Sequence, residues 1–380
     1  MLSIYFISLI LCLISILVEK NNLKKYKIIN VILFFLTIIV MVNADTIGDL
    51  SNYEDTYQET VQYGFRSYTD SGYALLMLAA SKLGLSFFQF KCIGIIIAMS
   101  IIYNTLIKRT NYYGFFVFFF SLHSLFLDAY QLRNFFAFSV VILALHYLLQ
   151  EDSSIFIYSF LIVIASTIHA MAIVYLLFVW IRLNSEVKKW TLRCLPFLFL
   201  IIIYIGINSN FISDVLLFFS DFTNEGLANK LENYASTKTR LGFLIPIFIY
   251  SFYLIFIKLI NYKLIEDSNT VVRKRSLKNF IYTSKNIINY NKNFMKLVEQ
   301  INFIGICFLP FNIASLTFYR LVRNICLFDL IYFAICFDIA KTKKDKLIIF
   351  FGVLILILMW RYFDFNIYKG IEIDELYFYK

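Results

Sequence analysis

Charged residues are scarce in this chain, and so are the residues that interrupt helices. Asp, Glu, Lys and Arg together make up 16% of 380 residues, with only three prolines and twelve glycines. A water-soluble domain carries about a quarter charged residues, so that class is excluded. With so few helix breakers, α-helices are the natural spanning element, because a backbone in lipid must satisfy its own polar groups. Cysteine offers neither a disulfide framework nor a metal site. Cys12, Cys92, Cys194, Cys307, Cys326 and Cys336 lie in or beside apolar runs without any C-x-x-C pair, as buried packing residues do. No metal-ligand spacing is visible, no cofactor is expected, and no groove-binding or stacking motif points to nucleic acid. No basic stretch precedes the first apolar run after Met1, so that run is expected to stay as a membrane helix rather than leave as a signal peptide.

What is present is apolar sequence. The chain is 60% hydrophobic with a mean hydropathy of +0.73, which predicts an all-α integral membrane protein. One polytopic domain over 1–380 is expected, with about 12 transmembrane helices (roughly 10–12), some of them short or broken, plus an extracytoplasmic amphipathic helix. The 43 Phe and 27 Tyr receive little weight, since Phe, Ile, Tyr, Asn and Lys rise together in AT-rich genomes.

The net charge of +10 becomes informative through its placement. Basic loops belong on the cytoplasmic side, which puts 20–27, 108–109, 182–193, the lysine-rich 261–300 and 341–346 inside. The acidic stretch 43–86 then becomes an extracytoplasmic loop carrying a surface helix. Within it the apolar run 73–84 reaches only ~18 Å at 1.5 Å per residue, too short to span. Residues 213–242 form a second extracytoplasmic loop and 317–324 an exterior turn. The run 155–181 is long for one helix and short for two. Two segments meeting near His169 keep Arg182, Lys188, Lys189 and Arg193 inside, so the broken pair is the expectation. Each arm would reach only ~20 Å of a ~30 Å core, which requires local thinning or a re-entrant pair.

This topology gathers ionisable residues at the exterior. Arg133 opens a helix near the membrane boundary and His169 lies deep in apolar sequence, where a charge costs roughly 2.5–3.5 kcal/mol. Arg320 and Arg323 are three apart, on one face of a helix end. Clustered guanidiniums in a partly dry cavity suit a phosphate or pyrophosphate, held by bidentate charge-assisted bonds; snorkelling to lipid headgroups is the plain alternative. His169, beside Ser166 and Thr167, is a candidate general base or else a satisfied core imidazole. Asp49, Tyr53, Gln131, Tyr234 and Arg240 are candidate substrate-binding residues, and Asp128 and Gln131 are expected to hold the Arg133 guanidinium. His123 and His146 read as structural. Asp329 and Asp338 have no role assigned.

In order along the chain, G-D-x-x-x-Y (Gly48, Asp49, Tyr53), D-S-G-Y-x-L-L (from Asp70), L-R-N-x-x-A (from Leu132), I-H-A-M-A-I (from Ile168) and F-Y-R-L-V-R (from Phe318) together resemble the EpsG-like branch of the Wzy-type polysaccharide polymerases. Asn134 stands where that family usually has a glutamine, Asp70-Ser71 where Glu-Pro is common, and Asn43 near where an arginine often precedes the glycine-aspartate element. The resemblance implies polymerisation of undecaprenyl-pyrophosphate-linked oligosaccharide repeats at the outer face of a bacterial plasma membrane. It implies membrane lipids as surroundings, a chain-length-regulating co-polymerase as an optional partner, and inverting transfer served by His169 and the arginines without a metal. Two rivals stand beside it: an O-antigen-ligase-like transferase, and a transporter or flippase of lipid-linked saccharides. An alternating-access carrier would be expected to show two related halves, and no internal repeat is visible.

Overall fold

A computed structural model of the chain describes residues 2–17, 23–44, 49–65, 70–149, 155–183, 244–272, 281–309 and 319–367, with isolated positions between 189 and 200. Helices account for the architecture, and no strand occurs among the described residues. In chain order they are α1 (Leu2–Leu17), α2 (Leu23–Val42), α3 (Asp49–Tyr63), α4 (Ser71–Lys82), α5 (Phe87–Ile107), α6 (Tyr113–His123), α7 (Leu125–Tyr130), α8 (Leu132–Leu149) and α9 (Ile155–Ile168). A 3₁₀ segment (Ala170–Arg182) follows, then α10 (Leu244–Val272), α11 (Ile281–Gly305), a 3₁₀ turn (Ile306–Phe308), α12 (Tyr319–Ile339) and α13 (Lys343–Ile367).

Three of these, Phe87–Ile107, Leu132–Leu149 and Leu244–Lys263, are long and apolar enough to cross a membrane. Five shorter apolar helices accompany them, so the described helices do not add up to the dozen crossings expected. Large apolar side chains such as Phe35, Phe88, Ile97, Phe156 and Phe351 remain exposed on the outer helices. In water so wide an apolar surface would be a liability, whereas lipid accepts it.

At the centre lies α12. Every residue from Leu321 to Phe337 is buried, the pattern of a helix surrounded on all sides. It packs against α6, α10, α11 and α13. Its two acids, left without a role by the sequence, are polar staples. Asp338 Oδ2 accepts from Asn111 N at 2.9 Å and Asn111 Nδ2 at 3.2 Å, tying the α5–α6 turn to α12. Asp329 accepts from Asn302 of α11. Such bonds fix which faces of two apolar helices meet.

The entry to the site end is built by local signals. Gly84 (φ +70°) takes the left-handed conformation that glycine adopts without strain, ending α4. Ser86 and Gln89 then form a capping box that starts α5, with Gln89 N donating to Ser86 Oγ at 3.3 Å and Ser86 N to Gln89 Oε1 at 2.9 Å. α4 is helical over the stretch where the surface helix was expected. α3 was not expected: the acidic stretch after Gly48 is helical rather than loop. Residues 261–272 and 281–300, read from the sequence as one long loop, continue α10 and form most of α11.

The chain breaks at His169, as expected. α9 ends at Ile168, His169 is extended (φ −149°, ψ 111°), and the 3₁₀ segment begins at Ala170. The two arms lie side by side, with Tyr158 OH donating to Tyr175 O at 2.6 Å. A 3₁₀ segment rises ~2.0 Å per residue against 1.5 Å for an α-helix. The second arm therefore reaches ~26 Å, which relieves most of the length deficit counted from α-helical geometry.

At the opposite end, Lys263 donates to Asp345, and Thr342 Oγ1 donates to the same carboxylate at 2.6 Å. These partners hold the Asp345 carboxyl below its ordinary value of 3.8. A depressed folded value contributes stability above the ordinary value, and that contribution is lost as pH falls through the lowered one. Thermal unfolding of the detergent-solubilised protein should therefore show an acid-dependent loss below about pH 4, with a smaller loss in Asp345→Asn.

Candidate functional site

The site forms where α8 and α12 begin, α9 ends and α3–α4 cover them. Its centre is Asp70, the residue before α4. Arg133 Nη1 donates to Asp70 Oδ2 at 3.4 Å, His169 Nδ1 stands 3.6 Å from the same oxygen, and the Ala170 amide donates to Asp70 Oδ1 at 3.3 Å. The three side chains keep 15% (Arg133), 16% (Asp70) and 23% (His169) of their surface. They are shielded from bulk water yet reachable.

Arg133 is placed by the break before α8. α7 ends at Tyr130, Gln131 is non-helical (φ −98°, ψ 55°), and the new helix starts at Leu132. The guanidinium then lies over the ring of Tyr53 at 4.8 Å and near that of Tyr73 at 6.0 Å. Burial pushes the Tyr53 phenol above its ordinary range, so the ring stays neutral and the contact is a cation–π one. A delocalised guanidinium stacked in this way is oriented as well as held.

A cavity of about 40 Å³ opens beside His169, lined also by Asn134, Tyr175, Arg320 and Asn324. Asn134 and Asn324 exchange side-chain hydrogen bonds at 3.1 and 2.9 Å, linking α8 to α12. Asn324 also donates to Tyr175 OH at 3.1 Å. His169 Nδ1 is buried 3.6 Å from Asp70 Oδ2, near it but beyond hydrogen-bond distance, and the residue lines the cavity. Arg320 Nη1 is 3.9 Å from Asp49 Oδ2, with 28% and 42% of the two side chains exposed. A pair so open is weak and separable.

The structure thus brings together Arg133, His169, Arg320, Asp49 and Tyr53 from the expected set. It separates Arg323 and Gln131 from them. Arg323 is 1% exposed; Nη2 donates to Gln131 Oε1 at 2.8 Å and lies 3.5 Å from Asp128 Oδ1. The expectation that Asp128 and Gln131 hold Arg133 is therefore corrected: they hold Arg323. One helical turn separates Arg320 from Arg323, and the first two turns of α12 point the two guanidiniums to different surroundings. Tyr234 and Arg240 lie outside the described residues.

Three residues escaped the sequence reading. Asp70 was counted with the acidic exterior stretch and given no role of its own, although it stands in one of the motifs. Asn324 was read as the last residue of the exterior turn, and Tyr175 was absorbed into the apolar run 155–181. An amide one residue after Arg323, directly before an apolar run, was the available signal for Asn324.

A family model described as the EpsG family matches residues 26–379. No curated protein and no solved structure matches the chain.

The two α12 arginines should separate in experiment. Arg323→Ala leaves Asp128 buried without its counter-ion, a loss of about 3–5 kcal/mol, and should sharply lower the unfolding temperature in detergent. Arg320→Ala should change it little, since exposed pairs contribute about 0–1 kcal/mol. Equal effects would place both in the same environment.

Proposed function

The chain belongs to the EpsG family, and from that premise we propose that it polymerises lipid-linked oligosaccharide repeats. The substrate in this reading is a polyprenyl-pyrophosphate-linked repeat unit, as used to build O-antigen, capsule or exopolysaccharide. The reaction is an inverting glycosyl transfer at the outer face of a bacterial plasma membrane, catalysed by a multi-pass protein. The observation that carries it is that His169 and Arg320 line one small cavity at one end of the bundle, with Arg133 beside them on the Asp70 carboxylate that His169 also meets.

The chemistry follows from those groups. An acceptor hydroxyl oxygen forms a bond to the donor's anomeric carbon while the bond from that carbon to the pyrophosphate oxygen breaks. The electron pair leaves with the polyprenyl pyrophosphate, through an oxocarbenium-like transition state. His169 Nε2 takes the acceptor's proton. Arg133 and Arg320 face the charge that grows on the leaving group, so they favour the transition state over the bound substrate. The cavity has room for a hydroxyl group rather than a whole sugar. The rest of the repeat lies outside its mouth, under α3 and α4, where Asp49 and Tyr53 stand beside the arginines.

Membranes carrying His169→Ala, given purified lipid-linked repeat, should extend chains about 10²–10⁴-fold more slowly while still binding the repeat. Arg133→Ala should weaken binding of the pyrophosphate lipid. Undiminished polymer with the histidine variant would remove the base assignment. Formation of a single transfer product and no longer glycan would favour a ligase.

A further inference from the structure

We propose that Asp70 is the positioning residue for His169: its carboxylate holds the imidazole as the Nδ1–H tautomer and thereby leaves Nε2 able to accept a proton. The proposal deepens the reading above and rests on it for the reaction, whereas the tautomer itself is observable without any reaction.

The geometry has three parts. First, the break at His169 supplies both sides of the contact. It turns the imidazole out of the α9 register and leaves the Ala170 amide, first in the 3₁₀ segment, without a helical acceptor. Asp70 Oδ1 accepts from that amide at 3.3 Å, while Oδ2 lies 3.6 Å from the buried Nδ1. The carboxylate is therefore fixed at one oxygen and presents the other to the ring.

Second, Asp70 forgoes its local use. An aspartate at a helix N-cap ordinarily accepts from the amides of the first turn. Asp70 occupies the N-cap of α4 without any such side-chain bond. Its carboxylate is instead committed across a sequence separation of 100 residues, to the Ala170 amide.

Third, close packing makes the reach possible. A Cβ at Gly72 would lie 2.2 Å from Thr167 Oγ1, so the start of α4 approaches the end of α9 only because residue 72 is glycine. Asp70 and His169 are brought together by that approach.

A carboxylate beside Nδ1 can only accept, which obliges that nitrogen to carry the ring proton when the imidazole is neutral. At 3.6 Å the contact is electrostatic rather than a formed hydrogen bond, and a negative oxygen at that distance favours a proton over a bare lone pair on Nδ1. Arg133, donating to the same Oδ2 at 3.4 Å, is a second hold on the carboxylate. The acceptor's proton then has one open lone pair to go to, at Nε2.

The full-length protein labelled with ¹⁵N-histidine, in lipid nanodiscs at a pH where the ring is neutral, tests this directly. The chain has three histidines, and the His169→Ala spectrum identifies the resonance concerned. The wild-type ring should carry its proton on Nδ1. In Asp70→Asn the amide can donate to Nδ1, so the proton should move to Nε2, and chain extension should fall about 10²–10⁴-fold through kcat. Asp70→Glu should retain the wild-type tautomer and recover part of the rate. A wild-type Nε2–H ring, or a tautomer indifferent to Asp70→Asn, would overturn the proposal. If the tautomer behaves as expected but His169→Ala extends chains at the wild-type rate, the positioning stands and the general-base reading fails instead.

Discussion

A single carboxylate, that of Asp70, decides the arrangement at the site end of this bundle. Arg133, His169 and the Ala170 amide come from α8, the end of α9 and the start of the 3₁₀ segment, and all of them point at it. Without a negative group there, a guanidinium and an imidazole set into apolar helices would have to be desolvated side by side. Charges removed from water need a partner and hydrogen bonds, or the desolvation cost exceeds any gain. Asp70 provides both while staying partly open to the surface, so the group can form without being sealed.

The helices serve that arrangement through their interruptions. Gln131 breaks the chain between α7 and α8, and His169 breaks it between α9 and the 3₁₀ segment. Each break sits beside one of the two chemically active side chains. A continuous helix would have turned Arg133 and His169 along a packed face, with their backbone amides committed. Broken helices at membrane depth release backbone groups that must find acceptors where they line protein or a cavity. The Ala170 amide on Asp70 is one such case.

The three arginine side chains near α12 and α8 divide by depth. Arg323, fully enclosed with Asp128 and Gln131, ties α12 to the α7–α8 corner and so fixes the platform on which the site is built. Arg320, one turn earlier, remains part-exposed next to Asp49 and borders the cavity. Arg133 sits between those extremes, stacked on Tyr53. The same residue type thus serves as internal staple, cavity edge and oriented cation, according to how much water its neighbours exclude.

Some of this was written in one dimension. Composition alone excluded a soluble fold. The cost of an arginine and a histidine in apolar sequence marked Arg133 and His169, and placement of the basic loops required a break at His169, which is where it occurs. The apolar runs put α4, α5 and α8 close to where they lie. Pairing was not legible. The helical spacing of Arg320 and Arg323 suggested one shared surface, and nearness in sequence suggested that Asp128 and Gln131 serve Arg133; packing of α12 between α6 and α11 assigned them to Arg323. Nor could local pattern distinguish an acid solvated in a loop from Asp70, whose partners lie about as far away as Ala170, 100 residues on. The sequence by itself determined which residues are too polar for their surroundings, because transfer free energy is a property of each side chain and its neighbours along the chain. Only the tertiary structure decided which of them neutralise one another, because charge pairing depends on separation in space, and that is set by how the helices pack.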